Sequence, residues 1–315
     1  MLEHTSLLLL CGGVIALFGV LRPVEFLQWS NFANIFGSQA VLVVLTLALL
    51  WPLRAGDYDL SVAGILTLAS MVTAVLDVRH GWSLGAIVVV VLLVGAAVGA
   101  VNAFVTVVVG VDSLIATLGT GTIAGGLTLL ISDSSTVTGM QSDLSHWVVG
   151  IAPLGIAIEF YYGLALALVV WAAFDLTVGG RRLLVVGRGR EVARLSGIAV
   201  SRIRWIAFIV GGVLAALAGI LYAGTSGGAD PTSGASLLLP AFAAAYLGTT
   251  VFKIGDFNPF GSLLAVYFLA IGVNGLSVLG VEGYAQNLFY GTALIVAVSM
   301  SLVWRRRTMQ TEGRA

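Results

Sequence analysis

Runs of about twenty apolar residues recur along nearly the whole chain, near 5–21, 33–51, 59–76, 83–109, 114–131, 160–178, 205–223, 237–252, 258–278 and 284–304. A helix needs about 20 mostly apolar residues to cross the hydrocarbon core, and inside lipid it satisfies its own backbone groups. The pattern therefore predicts an all-α membrane protein of about ten transmembrane helices, with residues 1–315 forming a single transmembrane domain. The run at 83–109 is long enough to be tilted or broken. Composition agrees, since 59% of the residues are hydrophobic and 10% charged, against about 25% charged in ordinary soluble domains. None of the intervening stretches reaches the ~50 residues of the smallest ordinary domain. A globular machine that supplied energy would have to be a partner.

The first run could be mistaken for a signal peptide, and Leu8–Leu9–Leu10–Cys11–Gly12 hints at a lipoprotein cleavage site. No Lys or Arg precedes it and no small-residue cleavage site follows, so a retained first helix is expected. Fifteen basic residues balance fifteen acidic ones, which leaves no cationic field for nucleic acid. The single Cys11 rules out an intrachain disulfide, and His4, His80 and His146 have no metal-ligand spacing. No cofactor is expected. Basic residues disfavour translocation. With the N-terminus cytoplasmic, 13 of them fall inside (Arg54, seven arginines from Arg181 to Arg204, Lys253, Arg305 to Arg307 and Arg314), and only Arg22 and Arg79 fall outside. Both termini are thus expected in the cytoplasm.

Two stretches resemble each other. Val101–Asn102, Val111–Asp112 and Gly121–Thr122 with Ala124 match Val273–Asn274, Val281–Glu282 and Gly291–Thr292–Ala293. The copies lie five spans apart, an odd number, so they run in opposite directions. This predicts an inverted repeat, about 33–131 against about 205–304, an arrangement found in transporters. The alternative is a shared Val/Gly/Thr-rich composition. Forty glycines point to closely packed helices, with Gly95–Gly99 and Gly121–Gly125 at small-xxx-small spacing.

Among residues that could carry chemistry, Asp57 and Asp59 sit between the second and third spans. Asp59 and Ser61 are placed to cap the third helix, with Arg54 as a neighbouring counter-charge; the other reading is a paired carboxylate binding a proton or cation. The remaining acids also lie at span edges, which argues against an ion-coupled carrier and against an intramembrane hydrolase. The middle of the spans offers Asn102, Thr117, Thr120 and Asn274, with Phe242, Tyr246 and Tyr267. Neutral polar groups between aromatic walls suit a polyol, although singly they more often bond helix to helix. Candidates for a translocation path are Asp59, Ser61, Asn102, Thr117, Phe242, Tyr246 and Asn274.

The connection at 179–204 is the most informative. Its centre, Arg190 to Leu195, reads as a short helix between Gly189 and Gly197, with an apolar side formed by Val192, Leu195 and Ile198. A charged linker would satisfy the topology alone, whereas an ordered short helix suits docking. The only lysine, Lys253, lacks the glycines of a P-loop, so ATP hydrolysis by this chain is not expected.

Asp59–Leu60–Ser61–Val62, Ile115–Ala116–Thr117–Leu118–Gly119–Thr120, the loop from Gly187 to Arg202 with Ala193–Arg194–Leu195–Ser196–Gly197–Ile198, and Asn274–Gly275 resemble the permease subunits of bacterial ABC importers for monosaccharides, the ribose, xylose and arabinose systems. The resemblance spans about residues 35 to 303. It implies a non-catalytic subunit in the bacterial inner membrane, importing a pentose-like sugar. It also implies a homodimer, a periplasmic sugar-binding protein and a cytoplasmic ABC ATPase. Arg188, Gly189, Arg190, Glu191, Ala193, Arg194, Leu195, Ser196, Gly197 and Ile198 would form the coupling segment that meets the ATPase. The family's usual Gly-Gly-Ile-Asp-Leu-Ser-Val-Gly turn here reads Ala55–Gly56–Asp57–Tyr58–Asp59–Leu60–Ser61–Val62–Ala63, a departure that bears on the particular sugar. Two rivals stand beside this reading: a permease of the same plan for branched-chain amino acids or nucleosides, and an ion-coupled secondary transporter.

Overall fold

The structure is a computed structural model that describes residues 6–140, 142–281 and 283–312. Fifteen helices are described. They are α1 (Ser6–Leu21), α2 (Pro23–Phe26), α3 (Trp29–Ser38), α4 (Ala40–Arg54), α5 (Val62–Val78), α6 (Leu84–Ala103), α7 (Ser113–Ser132), α8 (Ser142–Val149), α9 (Ile158–Asp175), α10 (Val178–Arg188), α11 (Arg190–Leu195), α12 (Val200–Ser226), α13 (Ala235–Gly248), α14 (Pro259–Val278) and α15 (Tyr284–Glu312). Five are by themselves long and apolar enough to cross a membrane, namely α6 with its continuation to Val109, α7, α9, α12 and α14; a sixth arises if α3 and α4, bent by 41°, form one broken span. Helices α1, α5 and α13 are shorter but apolar. The chain is an all-α membrane protein.

Local chemistry sets many of the helix ends. Asp112 accepts a hydrogen bond from the Leu114 N–H at the start of α7. Asn258 does the same for Gly261 at the start of α14, where Pro259 occupies the first turn with no N–H to leave unpaired. The long run at 83–109 is continuous but changes character: six residues from Phe104 to Val109 wind as a π-helix, and Gly110 closes them at φ 87°. The expected break in that run is therefore a change of helical pitch.

The helices sort into a centre and a periphery. About two thirds of the apolar window of α12 is buried (67%), against 22% for α6 and α7, so α12 lies inside the bundle and α6 and α7 turn one side outward. The crossing of α6 with α12 depends on glycine. A Cβ on Gly95 or Gly212 would run into the other's carbonyl, and one on Gly99 into the carbonyl of Phe208. This close approach is what the Gly95–Gly99 spacing predicts. At the second spacing, Gly121 packs on Ser61, while Gly125 faces open space.

The connections divide between two ends of the bundle. At one end Arg54 and Lys253 meet Asp175, Arg188 meets Asp256, and Arg190 and Arg204 meet Asp57. At the other end Arg79 meets Asp133, Thr136 donates to Asp230, and Trp29 donates to the Leu154 carbonyl. There too Val137–Thr138 (β1) pairs antiparallel with Gly228–Ala229 (β2), Val137 opposite Ala229, a ladder with no sequence signal. Hydrogen bonds from the Thr232 hydroxyl and N–H, with a further one from Thr136, hold the Asp230 carboxyl below the usual carboxylate range.

Candidate coupling surface and buried polar site

The stretch 179–204 is almost entirely helical. Thr177 caps α10, its hydroxyl oxygen accepting from the Gly180 N–H at 3.0 Å. Near the other end of α10, Gly187 lies so close to the Arg54 carbonyl that no side chain fits between them. Helix α11 runs over Arg190–Leu195, as its flanking glycines predict. It ends in a complete left-handed turn: the Gly197 N–H donates to the Arg194 carbonyl and the Ile198 N–H to the Ala193 carbonyl, each at 3.0 Å, with Gly197 at φ 77°. This is the Schellman arrangement, which favours glycine at that position. Ala193 is fully buried, whereas Val192 and Leu195 are 65% and 79% exposed. An ordered helix at a charged end of the molecule thus holds two apolar side chains outward, with Arg194 and Glu191 paired beside them at 2.6 Å.

Helix α11 and the start of α12 are bolted to the turn between α4 and α5. The Asp57 carboxylate, 2% exposed, accepts from Arg190 at 2.7 Å and from Arg204 through two bonds of 2.7 and 2.8 Å; Arg190 also donates to the Gly56 carbonyl at 2.8 Å. The expected Arg54 counter-charge is not there. Arg54 is buried against the Phe174 ring, donates to the Phe257 carbonyl at 2.9 Å and faces Asp175 at 3.8 Å. Three residues at this end, Arg204, Asp175 and Asp256, were not singled out from the sequence. Acids and bases near span edges are common, and only the fold decides which ones meet.

Beneath that turn lies a closed polar network. Asp59 Oδ1 accepts from the Ser61 N–H at 2.9 Å and from the Ser61 hydroxyl at 2.5 Å, while Ser61 accepts from the Asn102 amide at 2.7 Å. The Thr120 hydroxyl donates to Asn102 Oδ1. Thr117 accepts from the Leu60 N–H at 3.0 Å, and Ser113 from the Tyr58 N–H at 3.0 Å. Asp59, Ser61, Asn102 and Thr117 are all fully buried. Ser61 stands at the N-cap position of α5, but its side chain makes no capping bond; it faces Asp59 and Asn102 instead. Asp59 makes a local turn with Ser61 and leaves Oδ2 without a hydrogen-bond partner among the described residues. Ser113 escaped notice, although its position one turn before Thr117 on the same helix face was a usable signal.

The other candidates lie elsewhere. Asn274 of α14 exchanges two amide hydrogen bonds of 3.0 Å with Asn31 of α3. Phe242 is buried on α13, and the Tyr246 hydroxyl meets the Tyr58 hydroxyl at 3.2 Å. Tyr267 donates to the Phe36 carbonyl at 3.3 Å. The structure therefore gathers Asp59, Ser61, Asn102 and Thr117 into one cluster, which Tyr246 touches through Tyr58, and places Asn274 against Asn31 instead. A cavity of ≈ 220 Å³ opens between α9 and the start of α14, lined by Trp171, Asp175, Lys253, Asn258 and Phe260 with the exposed Phe252. None of the path candidates lines it. Among the described residues no cluster of His, Cys, Asp or Glu could hold a metal ion.

The sequence is similar to those of known permeases. The D-allose transport system permease protein AlsC of Escherichia coli (strain K12) is 32% identical over 287 residues, 91% of this chain and 88% of that protein. The ribose import permease protein RbsC of the same strain is 31% identical over 303 residues, 95% of this chain and 93% of RbsC. The autoinducer 2 import system permease protein LsrC of Enterobacter sp. (strain 638) is 32% identical over 264 residues, covering 81% and 75%. No solved structure matches the chain significantly. The family model described as the permease component of branched-chain amino acid transport systems matches residues 31–298, from α3 into α15, and the chain belongs to that permease family.

Proposed function

We propose that this chain is the non-catalytic, membrane-spanning permease subunit of an ATP-binding-cassette importer, moving a pentose-like monosaccharide across the bacterial inner membrane. The observation that carries the reading is the likeness to a ribose import permease along 95% of this chain and 93% of the relative. The relatives named for allose and ribose favour sugar over branched-chain amino acids or nucleosides. In this reading α1, the bent α3–α4 pair, α5, α6, α7, α9, α12, α13, α14 and α15 make ten spans. The inverted repeat pairs the first half of the bundle with the second, and the end bearing Arg54, Lys253 and α11 faces the cytoplasm together with both termini. Two copies form the pathway, a periplasmic sugar-binding protein delivers solute, and a separate cytoplasmic ATPase supplies the energy.

The coupling segment from Arg188 to Ile198 docks on that ATPase through α11. What supports this is a rigid helix with a closed C-terminal turn that exposes Val192 and Leu195 at the basic end. A packed element of this kind can turn ATPase closure into rocking of the bundle. Asp59, Ser61, Asn102, Thr117, Phe242, Tyr246 and Asn274 remain the proposed pathway residues. The first four are closed off in this conformation, so their role would require the α5–α6–α7 junction to open.

Proteoliposomes holding the permease with its ATPase and binding protein decide the matter, assayed with labelled D-ribose, D-allose and L-leucine. ATP-dependent accumulation of a sugar is expected. Accumulation of leucine alone would move the chain to the amino-acid carriers of its family, and uptake that persists without ATP but collapses with an ion gradient would overturn the ATP-driven reading.

A further inference from the structure

We propose that Asp57 is the positioning residue through which α11 moves the buried end of the bundle, with Arg204 as its permanent partner and Arg190 as the releasable one; this rests on the reading of α11 as the ATPase-docking helix. Asp57 is 2% exposed and joins three separate segments: the turn between α4 and α5, the first residue of α11, and the first turns of α12. Its two arginines are not equivalent. Arg204 is 12% exposed and holds both carboxylate oxygens in a two-bond fork, whereas Arg190 is 44% exposed and shares Oδ1 alone.

Stranding a buried carboxylate without a partner is strongly unfavourable, whereas the two-bond Arg204 fork keeps Asp57 paired by itself. Arg190 can therefore leave Asp57 when α11 shifts, its guanidinium passing to solvent, and Arg204 keeps the charge satisfied. The reverse exchange would expose the more buried fork and is disfavoured. One residue beyond Asp57 the chain is gripped again. The Tyr58 N–H bonds to Ser113 and the Leu60 N–H to Thr117, both on α7, and Ser61 is held by Asn102 of α6. Loss of the Arg190 bond thus frees one hold on a turn that is itself bonded onward to α6 and α7, the kind of physical connection that coupling between distant sites requires.

The test uses hydrogen exchange on the permease–ATPase complex, with and without a non-hydrolysable ATP analogue, reading the peptide that contains the Tyr58 and Leu60 amides. In the unmodified complex the nucleotide is expected to change exchange there. In Asp57→Asn, the ATPase still co-purifies and hydrolyses ATP, but the nucleotide-dependent change shrinks roughly threefold or more. A merely structural role would alter basal exchange and protein yield and leave the response to nucleotide intact. A full response in Asp57→Asn, or no response in the unmodified complex, overturns the proposal. Should Asp57→Asn fail to accumulate, Ser113→Ala decides: it lies outside the docking segment and removes the acceptor of the Tyr58 N–H on α7, so the nucleotide-dependent change in the peptide that opens α7 is expected to shrink, and an unchanged response there overturns the proposal. Failure of the docking reading shows separately: Leu195→Asp would then keep its ATPase.

Discussion

At the scale of the residue, Asn102 does the most with one side chain. Its amide donates to Ser61 on the turn before α5, and its carbonyl oxygen accepts from Thr120 on α7, so a single buried side chain ties three elements. Asn102→Ala leaves Ser61 without that donor and makes Thr120 fall back on the Thr117 carbonyl at 3.2 Å. The expected loss is about 1–3 kcal/mol, read as a lower thermal midpoint in detergent. Thr120→Val leaves the buried Asn102 Oδ1 without its donor, a loss of the same order. Sequence picked out Asn102, Asp59 and Thr117 because a polar group in an apolar run is conspicuous. It paired Asp57 with Arg54 because they are three residues apart, and there the fold chose otherwise: Arg190 and Arg204, distant in the chain, are brought closer in space.

At the scale of the element, α11 was legible because glycines on both sides of an amphipathic hexapeptide set its ends. The docking role proposed for it predicts a separation of effects. Leu195→Asp removes an exposed apolar contact and should leave the thermal midpoint of the permease unchanged, while the ATPase no longer co-purifies. Retention of the ATPase would remove α11 from the interface. The α6–α12 crossing makes the opposite prediction. Gly212→Leu drives a side chain into the Gly95 carbonyl, and overpacking of this kind costs about 1–3 kcal/mol or more. Its thermal midpoint should fall even though no charged or docking residue has changed, and an unaltered midpoint would mean that the two helices are not in contact at Gly212. The π-helical stretch at 104–109 and the β1–β2 ladder were not foreseen. Valine runs carry no mark of helical pitch, and a two-residue ladder depends on a partner about ninety residues away.

At the scale of the whole molecule, alternation of the connections between two ends is the property most open to test. In a Cys11→Ser background, Ser196→Cys after α11 and Ser135→Cys beyond α7 should react with a membrane-impermeant maleimide from opposite sides. In intact cells with a permeable outer membrane, Ser135→Cys should label and Ser196→Cys should not; the reverse pattern would invert the orientation. Sequence by itself determined that the chain is an all-α membrane protein and which of its connections are basic. Those properties follow from the local cost of placing polar groups in hydrocarbon, paid residue by residue. Only the tertiary structure decided that α12 is central while α6 and α7 turn one side outward, that Asp57 takes its partners from α11 and α12, and that Asp59, Ser61, Asn102 and Thr117 close on one another. Each of those depends on which helices pack together, and nearly uniform apolar sequences say little about that, because lipid and a neighbouring helix are almost equally good surroundings for a Val or Leu side chain.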